Sequence, residues 1–160
     1  MDDPVERWLE LWERPSPGSL PHANKLAAMR GLAALGADAH PALNRLCDAL
    51  RSPSTERALL KPCLSAIAGI GPGAVAATPA VLELFWSEVE AQHDFTQPDL
   101  DLPLMECIQD CLKSIDAEAE ATRLWLKSRQ AEIGRLPLPP ATLHYLLDFL
   151  GVRVPKDSLH

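Results

Sequence analysis

The chain has 160 residues, 47% of them hydrophobic and 23% charged, with a formal net charge of −7. That length suits one ordinary domain with a continuous core, and the composition is globular rather than disordered or fibrous. The negative balance argues against general affinity for a nucleic-acid backbone.

β-Branched and aromatic residues are sparse while Ala and Leu dominate, which favours helix over sheet. The 15 prolines must then lie at helix starts or in connections. Asp3, Pro4 and Glu6 form a helix-start signal, with Val5, Trp8, Leu9 and Trp12 on one face of the helix that follows. Pro15, Pro17 and Gly18 end it. This opening is acidic, with no basic segment leading into an apolar one, and no apolar run reads as long enough to span a bilayer. The expectation is a cytoplasmic protein.

A second helix is predicted over residues 21–35, with Gly36 as its C-terminal cap. A third starts at Pro41 and carries Leu43, Leu46, Cys47 and Leu50. Ser52 and Pro53 open a fourth, kinked at Pro62 and stopped by Gly71 to Gly73. Thr78 and Pro79 start a fifth, to about Gln92. After an irregular stretch, a sixth runs from Leu102 with Leu104, Ile108, Cys111, Leu112 and Ile115, and a seventh covers 117–133. A last helix spans 140–150, closed by Gly151. The prediction is an all-α domain of about eight helices with no strand.

Two stretches say nearly the same thing. Gly31 to Leu46 reads GLAALGADAHPALNRL, and Ala66 to Leu84 reads AIAGIGPGAVAATPAVLEL. Gly36 and Gly71, 35 residues apart, end equivalent helices, each followed by a small-residue linker and a proline-started helix. Ile115-Asp116 stands at the matching place in a degenerate third unit, with Asp for Gly. Helical solenoids show such periods. The pattern resembles the HEAT repeat family, with Leu60-Lys61 at the place of that family's Val-Arg pair. The resemblance implies a short right-handed α-solenoid of stacked antiparallel helix hairpins over residues 21–133. Residues 1–20 would form an N-terminal capping helix, 134–151 a C-terminal one and 152–160 a loose tail. The alternative is an irregular helical bundle. Trp8 and Trp12 would either cap the stack or form a dimer surface.

Little in the chain points to catalysis. Cys107 and Cys111 share a helix face and could supply half a zinc site, but no further Cys or His stands at ligand spacing, and their apolar neighbours favour core packing. His144 and Asp148 are four apart, as a general base and its orienting carboxylate would be, or an ordinary surface pair. No nucleophile, Walker or zinc-protease motif occurs. No catalytic residue, cofactor or metal site is assigned. Some HEAT-like proteins resemble DNA-alkylation glycosylases or bilin lyases. The charge argues against the first, and no bilin-handling site can be located for the second.

The informative feature is acidic. Between Lys61 and Lys113 there is no Lys or Arg, whereas Glu83, Glu88, Glu90, Asp94, Asp99, Asp101, Glu106 and Asp110 all fall there. Solvated surfaces usually mix signs. Phe95 lies amid carboxylates in a long connection, and Trp86 beside Phe85 in a helix wider in apolar residues than one core stripe needs, so that either ring could be core and one an interface anchor. The predicted partner-binding set is Glu83, Trp86, Glu90, Asp94, Phe95, Asp99, Asp101, Glu106 and Asp110. The expected partner is a protein with a basic surface, engaged without nucleic acid or membrane. One version is an immunity protein that covers the basic active site of a toxin. An adaptor or an oligomerising structural protein is the alternative.

Overall fold

The computed structural model describes residues 3–16, 18, 20, 22–91, 101–135 and 140–152. Among these there is no strand. The α-helices are α1 (Pro4–Glu13), α2 (Ala23–Leu35), α3 (Leu43–Arg51), α4 (Leu60–Ile70), α5 (Thr78–Glu90), α6 (Leu102–Ile115), α7 (Glu120–Ser128), α8 (Gln130–Gly134) and α9 (Pro140–Phe149).

Several starts follow the sequence signals. The Asp3 carboxylate accepts the Val5 N–H at 2.9 Å, with Pro4 at the first helical position. The Asp101 carboxylate accepts the Leu104 N–H at 3.1 Å and starts α6 in the same way. Other boundaries differ. Ser52 and Pro53 form a turn rather than a helix start, fixed where the Thr55 hydroxyl donates to the Ala49 carbonyl at 2.6 Å. Because α4 begins only at Leu60, Pro62 lies in its first turn, where an N–H has no helical partner to lose, so it does not kink the helix. The expected seventh helix is two, parted at Arg129, so the count departs from eight.

The paired glycines are the clearest structural rhyme. Gly36 has φ 60 and ψ −131, and Gly71 has φ 79 and ψ −149. Both are mirror images of polyproline II backbone, a conformation open to glycine and strained for L side chains. Each opens a seven-residue 3-10 segment, Gly36–Ala42 and Gly71–Ala77, that leads into α3 and α5. The third unit uses another device. Asp116, 8% exposed, accepts the N–H groups of Ala121 at 3.2 Å and Thr122 at 2.7 Å, and the Thr122 hydroxyl at 2.7 Å. That carboxylate caps α7, and the left-handed residue is Ala119, with φ 55.

Helices α1, α2, α4 and α6 pack side by side in one row, and α3, α5 and α7 in a second. Small residues let the first row close up. A Cβ on Gly69 would come within 3.1 Å of the Ala33 carbonyl oxygen, and the Ser114 hydroxyl donates to the Ala68 carbonyl at 2.7 Å. At the N-terminal end Trp8 lies against Gly31, where any Cβ would overlap the ring, and Trp12 is buried beneath the Arg45 guanidinium. Both indoles are thus engaged within the chain. Helix α5 is buried on most sides, with Phe85 fully enclosed and stacked on Phe149 of α9. Gln109 donates to the Phe149 carbonyl at 2.9 Å and ties α9 to α6.

Arg57–Glu90 contains an 18-residue window of mean hydropathy 1.5, apolar enough to cross a membrane by length and composition alone. In the fold Gly71 divides it into α4 and α5, which lie in different rows.

These geometries predict a graded mutational series. Gly36→Val and Gly71→Val should each lower unfolding free energy by about 1–3 kcal/mol through backbone strain. Gly31→Ala should lower it by about 1–3 kcal/mol through overpacking against Trp8. Urea unfolding followed by circular dichroism checks all three; a wild-type midpoint in any variant contradicts the corresponding contact or dihedral.

Candidate functional site

The acidic segment has no cations of its own, yet the fold supplies some from earlier in the chain. Arg51, at the end of α3, donates through Nε to Glu83 at 2.9 Å. Arg57 grips both oxygens of Glu88, at 2.7 and 2.8 Å, and reaches Asp101 at 3.4 Å. The pairing with Glu88 raises the Arg57 pKa further. The Leu104 N–H, seconded by the Arg57 charge, holds the Asp101 carboxyl below its ordinary value. Asp101 is therefore a helix cap and ion-pair partner, and Glu83 a cross-helix tie. Among the described residues Glu90, Glu106 and Asp110 have no ion pair. Asp94, Phe95 and Asp99 lie outside the described residues.

Three of the predicted residues do come together. Glu83, Trp86 and Glu90 line one wall of a groove of about 250 Å³, with Ser87 between them and Trp125, Arg129, Glu132 and Ile133 opposite. Glu106 and Asp110 do not line it; they share a face of α6 with Cys107 between them.

Trp86 is 6% exposed, so its ring is a buried part of the groove wall. It meets Phe85 edge-on, ring centroids 5.5 Å apart. Its indole Nε1 is buried with no hydrogen-bond partner. Leaving a buried donor unpaired costs about 1–3 kcal/mol. Across the groove the Arg129 guanidinium stands 5.5 Å from the Trp125 ring centroid and pairs with Glu132 at 3.1 Å. The sequence reading missed this wall. The i, i+4 spacing of Trp125 and Arg129 was the available signal, since such a pair shares a helix face.

The other candidates resolve into packing. Cys47, Cys63 and Cys111 are buried free thiols and Cys107 is half-buried. Cys63 donates to the Leu46 carbonyl at 3.2 Å. Among the described residues no three His, Cys, Asp or Glu side chains gather as a metal site. His144 and Asp148 share neither a hydrogen bond nor an ion pair. No family model, no curated protein and no solved structure matches the chain.

The thiols give the fold a pH dependence. Burial raises all four, moves Cys63 far up and pushes Cys111 up to about 12 from an ordinary 9.0. Above pH 9 the unfolded chain loses thiol protons that the fold keeps, so stability falls as pH rises from 9 towards 12. The urea midpoint should drop between pH 8 and about 10.5, and Cys63→Ala/Cys111→Ala should flatten that slope relative to its own pH 8 value. An unchanged slope in the double variant contradicts the assignment to these thiols.

Proposed function

We propose that the chain is a non-catalytic protein-binding module, built as a short HEAT-like stack, that engages a partner with a basic surface. The stacked reading is supported by two turns of one design at Gly36 and Gly71, and by neighbours that run α2–α4–α6 in one row and α3–α5–α7 in the other. The observation that carries the binding reading is the division among the carboxylates. Glu83, Glu88 and Asp101 are bonded to Arg51 or Arg57, while Glu90, Glu106 and Asp110 stand exposed without a cation among the described residues. Surface carboxylates without a cation set up a negative field, which raises the association rate of a basic partner and selects against an acidic one.

The concrete version is an immunity protein covering the basic active site of a toxin. An adaptor would use the same surface, and the two part on what the partner does alone.

Wild-type chain and the charge-reversed triple variant Glu90→Lys/Glu106→Lys/Asp110→Lys, used as baits in the source cell extract, test the reading. A basic protein should be retained by wild type at low salt and released at high salt. The variant should associate with it about tenfold more slowly by surface plasmon resonance, with folding unchanged. A partner that is toxic when expressed alone and harmless alongside this chain would fit the immunity version. Capture indifferent to both salt and charge reversal contradicts the module.

A further inference from the structure

Two residues that line the groove between α5 and α7–α8 carry hydrogen-bonding groups without partners among the described residues, and these are of opposite sense. Trp86 Nε1 is a donor without an acceptor, in a side chain more than nine-tenths buried. Glu90 is an exposed carboxylate without a cation among the described residues. Both line the same groove. A bare cation would satisfy Glu90 and leave the indole unmet. A bare anion would satisfy the indole and be repelled by Glu90. A peptide segment bearing a basic side chain offers both complements, because its backbone carbonyl accepts while its side chain donates.

Size and internal precedent narrow the ligand further. About 250 Å³ falls below the roughly 300–1,000 Å³ typical of small-molecule pockets and suits one long side chain of a larger partner. The chain already sets a guanidinium over an aromatic face here, in Arg129 on Trp125. Guanidinium stacks on indole and pairs with carboxylate at once, which ammonium does less well.

We infer that this groove takes an arginine side chain from an extended segment of the partner. Its guanidinium pairs with Glu90, and the segment's backbone carbonyl accepts the Trp86 indole N–H. This rests on the protein-binding reading above and names the chemistry of its contact. Nε1 is covered in the free chain, so docking requires one wall of the groove to yield. Arg129, 40% exposed, stacked on Trp125 and paired with Glu132, is the long side chain in the facing wall that we take to yield. It also competes for the site as an internal cation.

The probe is a blocked five-residue glycine peptide with a central arginine, and its control carries the neutral isostere citrulline. Both are titrated into nitrogen-15-labelled chain, with the Trp86 indole resonance assigned by its loss in Trp86→Phe. The arginine peptide should move that resonance saturably, and the citrulline peptide should bind at least about tenfold more weakly. Glu90→Gln, a surface change that leaves the core alone, should weaken the arginine peptide about tenfold, and Arg129→Ala should tighten it. An indole resonance unmoved at millimolar peptide, equal binding of the two peptides, or no effect of Glu90→Gln overturns the inference. If the peptide fails while partner capture still depends on charge at Glu106 and Asp110, the groove falls and the module stands. If capture is indifferent to charge, the module itself falls.

Discussion

From Pro62 to Leu82 the chain carries no charged side chain. What stops one long apolar helix from forming is Gly71, with Pro72, Gly73 and Pro79 beyond it. At Gly71 a φ of 79 and ψ of −149 reverse the handedness of the backbone for one residue. An L side chain would be strained there, and glycine is not. The 3-10 segment Gly71–Ala77 then carries the chain from one row of helices to the other, and Thr78–Pro79 restarts it as α5. Gly36 performs the same turn between α2 and α3. With this reversal α5 sits among α3, α6 and α7, which is why it can bury Val81, Leu82, Phe85, Trp86 and Val89 at once.

The same reversal decides the electrostatics. It sets Glu83 against Arg51 and Glu88 against Arg57, across more than thirty positions of sequence. A segment that is purely acidic along the chain is thereby partly neutralised in space. Exposed pairs of this kind contribute only about 0–1 kcal/mol each, so their role is to fix α5 against its neighbours rather than to hold the fold together. What they leave over is the functional question: Glu90 in the groove, and Glu106 and Asp110 on α6.

Punctuation was legible because it is local. Asp3-Pro4 announces a helix start through capping chemistry that needs no tertiary contact, and Pro79 marks another because it fits the first turn of α5. The glycines at 36 and 71 could be placed for the same reason. Pro62 was misread because the turn before α4 is held by the Thr55 hydroxyl on Ala49, a bond with no signature in periodicity. The Asp116 cap on Thr122 was read only as a departure from glycine, since its acceptors are paired across six positions by the fold. The site was half legible. Glu83, Trp86 and Glu90 fall together by helical spacing, but α7–α8 closes the groove from the far side, and nothing along the chain says which helix will do so. The same closure buries Trp86, which the width of the apolar face could flag but not orient.

The account depends most directly on the backbone sign at Gly71, and a chiral substitution tests it alone. Replacing Gly71 by semisynthesis with D-alanine or with L-alanine changes one methyl group, and a Cβ of the L form meets nothing within 4 Å. A D residue finds the mirror of polyproline II comfortable, so the D-alanine chain should be more stable than wild type by about 0.4–1 kcal/mol through a stiffer unfolded state. The L-alanine chain should be less stable by about 1–3 kcal/mol. Equal stability of the two, or a more stable L form, would contradict the turn on which the placement of α5 and its groove rests.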